Sequence, residues 1–420
     1  MNPAQRLIVV RGLRSFTQAY LNVVAPLYLL SLGVSSAGLG VLFTASFLIG
    51  AALSVPVGIF ADRFGRKPFL VTFTVLMIIW GVIYWQSTYI PLLLTVSAIA
   101  GIGRGGGGMG AGQAGPFAPA ETALMADLVA EKDRRRVFSW NGIISSLLAA
   151  GGAAIAGVPE LIHHDHLGLL GSDKSLFLLS AILAVISLWI LMAVPEPERK
   201  PRVKGKRSPV SRKSGKIILQ QSLAGAFNAF GVGFVNSLFV VWLHLRFGVG
   251  SASIGPVFAA SYLLSAASVW GASAFAGRVG SVRTIVITRI GAALLMVLTA
   301  LAPTFLIAVI LQILRTAFTM MVTPVRQAFT MGLFPSEERA SASGMTGVVR
   351  RLSAALSPPI TGSLFESGAL ELPFFLGAAF QVVSAFLYSA FFAKMDTERV
   401  GKVAIEEAEI EEIGREDPDL

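Results

Sequence analysis

The feature that most constrains this chain of 420 residues is the gathering of its apolar side chains into blocks of roughly 20, the length a helix needs to cross ~30 Å of hydrocarbon. Inside lipid every backbone amide and carbonyl must pair within the protein, so such blocks are expected to be helices. Composition closes the soluble alternative. The chain is 54% hydrophobic and 14% charged, whereas soluble domains carry about a quarter charged residues. Helices are expected near 7–32, 37–61, 69–87, 91–127, 139–162, 172–194, 217–246, 251–276, 284–301, 303–333, 343–365 and 371–394. The fold class is therefore all-α integral membrane, with about twelve transmembrane helices.

A formal charge of +10 does not point to nucleic acid, because no exposed domain is long enough to carry it. It follows membrane topology instead. One set of connections holds Arg63, Arg66 and Lys67, Lys132 to Arg136, Arg199 through Lys216, Arg278, Arg283 and Arg339, and the other holds only Lys174 and Arg246. The basic side reads as cytoplasmic, with both termini there and the chain in the cell membrane. Arg6, Arg11 and Arg14 lead into the first apolar run with no small-residue cleavage site, so the first helix is expected to remain as an anchor. The absence of cysteine removes disulfide and thiol chemistry.

Residues 195–216 are proline-rich, basic and without apolar periodicity, which marks a cytoplasmic linker. It separates an N-terminal six-helix bundle (1–194) from a C-terminal one (217–394), and 395–420 reads as a solvated acidic tail. The halves look duplicated: LGVSSAGLGVLF at 32–43 aligns with FGVGSASIGPVF at 247–258, with six identities at an offset of 215. Arg104 meets Arg315 at offset 211, and Glu121 meets Arg326 at offset 205. This predicts two pseudo-symmetric bundles.

Polar residues on these apolar helices need water or each other. Arg11, Arg14 or Ser15, Gln18 and Asn22 share one stripe of the first helix, and Gln221, Asn228 and Asn236 nearly share one on the seventh. They read either as a water-facing pocket or as interhelical hydrogen bonds. Arg104 lies near the bilayer centre, where a charge costs roughly 2.5–3.5 kcal/mol or more unless it meets a cavity or a partner. It reads as a substrate-binding or proton-coupling group, or as a packing arginine bonded to carbonyls, and Arg315 inherits both readings. Glu121 is the carboxylate lying well inside a helix of the first half, which makes it the proton-carrier candidate. The glycines after Arg104 are not a dinucleotide loop, since they follow no strand and lie in an apolar segment. His163, His164, Asp165 and His166 are consecutive on a short loop, an arrangement that rarely converges on one ion, so no metal or other cofactor is expected.

The sharpest signal is GIFADRFGRKP, from Gly58 to Pro68. Gly58 permits close helix contact, Gly65 a tight turn, and Arg63, Arg66 and Lys67 hold the loop at the basic surface. A plain basic turn would satisfy the same physics. The segment resembles the loop signature G-x-x-x-D-R-x-G-R-[RK] of the major facilitator superfamily, with every defining position filled. Arg104 with Gly108, Gly110 and Ala111 resembles the R-x-x-x-G-x-x-x pattern of the fourth helix in proton-coupled members, of the bacterial and archaeal drug-efflux type. AAGGAAIAGVP at 149–159 faintly echoes the antiporter signature of helix five, with its proline displaced.

The resemblance implies alternating access by rocking of the two bundles around a midplane site lined by helices one, four, seven and ten. It also implies a conformational gate of Gly58, Asp62, Arg63, Gly65, Arg66 and Lys67, with Asp62 facing the start of helix eleven near Ser341 to Ser343, where the helix dipole favours a carboxylate. Gly277 stands where the second half would repeat Asp62, so this lock is expected to be one-sided. Helices four and ten approach each other in the family when the cytoplasmic side closes, so a Glu121–Arg326 bridge is expected as an inner gate, against pairing of each within its own half, for instance Arg326 with Glu337 or Glu338.

The expected function is secondary transport of a small organic solute, as proton-coupled antiport and efflux of drug-like compounds. Gln18, Asn22, Arg104, Asn228, Asn236 and Arg315 are the expected substrate contacts, and Glu121 with Arg104 the proton-coupling pair. A carrier of an organic anion that uses Arg104, Arg289, Arg315, Arg326, Arg350 and Arg351 is the alternative, and a non-transporting receptor or lipid-modifying enzyme a distant one. The expected partners are a small-molecule substrate, the bilayer and a proton, with no nucleic acid, and the chain is expected to be a monomer.

Overall fold

The computed structural model describes residues 2–100, 118–162, 169–196, 211–335 and 338–393. All regular structure among the described residues is helical. The first half contains α1 (Pro3–Ser31), α2 (Ser36–Phe64), α3 (Lys67–Gln86), α4 (Ile90–Ala100), α5 (Ala118–Leu128), α6 (Glu131–Ile155), α7 (Val158–Ile162) and α8 (Leu169–Met192). The second contains α9 (Arg212–Asn236), α10 (Phe239–Phe247), α11 (Ser251–Val279), α12 (Ser281–Ala300), α13 (Phe305–Gly332), α14 (Arg339–Glu366) and α15 (Leu372–Ala393). Among the described residues eight helical stretches are long and apolar enough to cross a membrane, and Ile90–Ala100 and Ser251–Ser265 are shorter apolar ones.

Several helices begin before their apolar blocks. α1 starts at Pro3, α6 at Glu131 and α9 at Arg212, because a helix can continue past the hydrocarbon, where water or a capping side chain satisfies its first-turn amides. The Ser211 hydroxyl does this for α9, accepting from the Ser214 amide at 3.2 Å. The helix expected over 217–246 is divided at Ser237 and Leu238 into α9 and α10, and the one over 139–162 at Ala156 and Gly157 into α6 and α7.

The duplication is visible in backbone geometry. α2 and α11 are each 29 residues long and start 215 apart. Gly33 and Gly248, which precede them at the same offset, both have positive φ, +90° and +66°. Gly65 and Gly280, which follow them, adopt φ 104°, ψ 157° and φ 92°, ψ 154°. This is a conformation that only glycine reaches without strain.

Each bundle has its own apolar core at the end carrying Arg66 and Lys67, hereafter the basic end. Leu7, Phe73, Leu124 and Leu191 form one, and Ile218, Ile285, Phe329 and Phe392 the other. At the far end a single core spans both halves, with Tyr28, Trp80 and Phe177 from the first and Phe239, Trp242 and Phe374 from the second. Two helix pairs make most of this junction, α2 with α14 and α6 with α11. A Cβ at Gly40 would meet the Pro358 carbonyl, and one at Gly362 the Ser36 carbonyl, so the α2 and α14 backbones touch. Pro359 has no amide hydrogen and leaves the Ala355 carbonyl without its intrahelical donor. The Thr44 hydroxyl of α2 supplies one instead, at 2.6 Å. At the other pair, the Glu160 carboxylate of α7 accepts from the Ser251 hydroxyl and the Ala252 amide, both at 2.8 Å. It thereby caps the positive end of α11 across the bundle boundary.

Candidate substrate-binding site

Three polar centres lie among the apolar helices. In the first, Arg14 of α1 forms a buried ion pair with Glu121 of α5. Arg11, also buried, lies one turn away within Coulombic range of the same carboxylate. The other Glu121 oxygen, Oε1, has no hydrogen-bond partner among the described residues. Thr17 and Thr74 join Arg14 in lining a small inner pocket beside the pair.

The second centre sits at the break between α9 and α10. Arg315 of α13 is buried and donates to Asn236 Oδ1 at 2.5 Å and to Gln312 Oε1 at 2.8 Å. Asn236 is the last residue of α9, so an interrupted helix presents its amide to the arginine. Half-buried Asn22 lies near the Tyr262 hydroxyl of α11, while Gln18 and Asn228 are half-buried on α1 and α9.

The third centre belongs to the second bundle. Arg289 of α12 is buried, donates to the Ser384 hydroxyl at 2.9 Å and its carbonyl at 3.3 Å, and lies 4.8 Å from the Tyr388 ring centre. Gln221 donates to the Tyr388 hydroxyl at 3.3 Å. Half-buried Arg326 of α13 and Arg350 of α14 lie within Coulombic range of Arg289 and of each other. No carboxylate among the described residues pairs with any of these three.

The expected Glu121–Arg326 bridge is absent from this conformation. Glu121 is taken by Arg14 within its own bundle, and Arg326 stands among arginines and Tyr388. The physical reason is that the bundles have separate cores at this end, so the nearest opposite charge to Glu121 is on α1. Glu121 thus pairs within its own half, as the alternative reading had it, whereas Glu338, the partner suggested for Arg326, accepts from the Ser211 amide at 3.1 Å. Arg104, Glu337 and the sequence from His163 to His166 lie outside the described residues, as do the side chains of Gly58, Asp62 and Arg63.

The remaining loop residues tie the first bundle together. Arg66 pairs with Asp127 at the end of α5, and its amide donates to Glu196 at 2.8 Å. Lys67 Nζ donates to the Met192 and Val194 carbonyls, each at 2.8 Å, holding the end of α8. Gly65 faces the Glu196 carboxylate where a Cβ would clash. Asp127, Glu160 and Glu196 were not legible as contact residues, because each lies near a helix end, where sequence suggests an ordinary solvated carboxylate.

Comparison with known proteins agrees with this architecture. The sequence model of the Major Facilitator Superfamily matches residues 7–314 and 221–416. An uncharacterised membrane protein of Saccharomyces cerevisiae is 22% identical over 91% of this chain and 92% of its own length. Multidrug resistance protein 1 of Bacillus subtilis is 26% identical over 55% of this chain and 56% of that protein. The crystal structure of the nucleoside transporter NupG superposes with a TM-score of 0.71 at 15% identity, covering 93% of this chain and 99% of that one. The chain belongs to the Major Facilitator Superfamily, whose members are membrane transporters and not enzymes.

Proposed function

We propose that the chain is a secondary carrier of a small organic anion, working by alternating access and coupled to protons. One observation carries the anionic reading. Arg289, Arg326 and Arg350 have no acidic partner among the described residues, while Glu121, the buried carboxylate on α5, is already engaged by Arg14. A cationic solute would meet surplus positive charge, whereas an anion supplies what the cavity lacks. Arg315 with Asn236, and half-buried Gln18, Asn22 and Asn228, supply further contacts in this reading, as does Arg104.

Proton coupling rests on Glu121. Its Oε1 has no hydrogen-bond partner among the described residues, which leaves an open acceptor beside the Arg14 pair. The basic end faces the cytoplasm by the charge rule, which places both termini there in the cell membrane and makes this the inward-facing state. The Gly58–Lys67 loop and a Glu121–Arg326 bridge belong to the gate that closes when the bundles rock together.

Efflux of drug-like compounds is the second reading, favoured by the similarity to Multidrug resistance protein 1. Uptake into proteoliposomes under an imposed pH gradient, screened over organic anions and cationic drugs, separates the two. The expected outcome is gradient-driven anion flux that loses its pH dependence in Glu121→Gln. Gradient-driven flux of cationic drugs with no anion flux would establish the efflux reading in its place.

A further inference from the structure

The arginine centre of the second bundle is built as a binding site with its back wall in place. Arg289 is pinned by Ser384, whose hydroxyl in turn donates to the Ala224 carbonyl at 2.6 Å, and it is covered by Tyr388. Its charge is therefore fixed inside the bundle. Arg326 and Arg350 stand in front, half-buried, with no hydrogen bond among the described residues to spend their guanidinium donors on. Gly225 of α9 lies opposite Arg350, where a Cβ would come within 3.2 Å of its Cγ, so a side chain there would push the arginine stem by a few tenths of an ångström.

Depth agrees with a solute site. At 1.5 Å per helical residue, Arg350 lies about 16 Å from the start of α14 at Arg339 and Arg326 about 9 Å from the end of α13 at Gly332. The trio thus spans the space between the basic end and the middle of the bundle. The described carboxylates of this half lie elsewhere: Glu338 on the Ser211 amide at the basic end, Glu366 at the far end of α14, and Glu371 paired with Arg246 at 3.4 Å, also at the far end. Arg315 is excluded from the trio because it belongs to a separate centre at the α9–α10 break, bonded to Asn236 and Gln312.

We infer that Arg289, Arg326 and Arg350, with Tyr388 and Gln221, form a binding site for a doubly charged oxyanion, a phosphate monoester or a dicarboxylate. This rests on the anion-carrier reading and names its substrate class. Like charges gathered in a low-dielectric bundle repel and are balanced by a ligand of opposite charge. A planar guanidinium fork matches the two oxygens of a carboxylate or phosphate. One negative charge would leave the trio mostly uncompensated; two would not.

The test is thermal unfolding of the purified full-length protein at constant ionic strength, titrated with inorganic phosphate, succinate and acetate. Phosphate or succinate is expected to raise the melting temperature saturably, and acetate to do so at least tenfold more weakly. Arg350→Gln and Arg326→Gln are expected to melt higher than the parent without anion, through lost repulsion, and to weaken the dianion at least tenfold. Arg350→Lys keeps the charge and serves if the glutamine variants misfold; it is expected to weaken binding severalfold through loss of the fork. Arg246→Gln at the far end is expected to bind as the parent does. Dodecyl phosphate distinguishes the source: tighter binding than inorganic phosphate indicates a lipid headgroup, and equal or weaker binding a free solute. The proposal is overturned if neither dianion shifts the parent, or if the Arg326→Gln/Arg350→Gln protein binds with parental affinity. Flux measured on the same variants separates the two readings. Anion flux that survives loss of binding overturns this site and leaves the carrier, whereas dianion binding without flux of any anion overturns the carrier and leaves the site.

Discussion

Glu121 and Arg14 form an ion pair buried where α1 crosses α5, with Arg11 close by and one carboxylate oxygen unpartnered among the described residues. Removing one member of a buried pair strands the other charge, at a cost of roughly 3–5 kcal/mol, whereas replacing both by apolar residues of similar volume is often neutral. Arg14→Met is therefore expected to lower stability by about that amount, and Arg14→Met/Glu121→Met to recover most of it. Unfolding in graded denaturant checks this. A double variant as unstable as the single one would show that the pair is not the energetic unit. Glu121→Gln should be milder, because an amide still offers Arg14 an acceptor. It is for this reason the better probe of coupling.

At the scale of elements the far-end seal depends on two departures from regular helix. Pro359 frees the Ala355 carbonyl for Thr44, and Gly40 and Gly362 let the α2 and α14 backbones touch. A hydrogen bond of this kind contributes about 1 kcal/mol, so Thr44→Val should shift the balance toward the alternative state about fivefold. Gly40→Val should shift it further, since its branched side chain would be driven into the Pro358 carbonyl. The chain has no native cysteine, so Ser36→Cys, buried in this seal, serves as a unique reporter. Its modification by a membrane-impermeant maleimide is expected to be fastest in the Gly40→Val background and intermediate in Thr44→Val. Identical rates in all three would remove α2 and α14 from the gate.

For the whole molecule, a shared core at the far end and separate cores at the basic end make the second the end at which a ligand is expected to bring the bundles together. Spin labels at Leu128→Cys and Leu333→Cys, on the basic ends of α5 and α13, are expected to report a shorter distance when a transported anion is added. The same shortening should fail in Arg326→Gln if Glu121 and Arg326 meet in the closed state. An unchanged distance distribution in the parent protein with saturating ligand would refute rocking about the far-end junction.

The apolar blocks alone determined that the chain is built of membrane-length helices, because the bilayer's thickness and the ban on unpaired backbone leave one solution for such segments, but not where those helices break, as at Ala156 and Gly157 or at Ser237 and Leu238. The Gly58–Lys67 loop identified the family, and the offset of 215 anticipated paired glycines at Gly33 and Gly248, and at Gly65 and Gly280. Periodicity could place Arg14, Glu121, Arg315 and Arg326 at depth, but not choose their partners, since a charge inside a bundle selects among neighbours contributed by distant segments. The match of Glu121 with Arg326 followed from the repeat, whereas packing put Arg14 beside the carboxylate and left Arg326 with Arg289 and Arg350. Only the tertiary structure decided which charges are satisfied and which end is sealed. Both depend on how two bundles of nearly symmetric helices lean on each other, and that lean is written in no single helix.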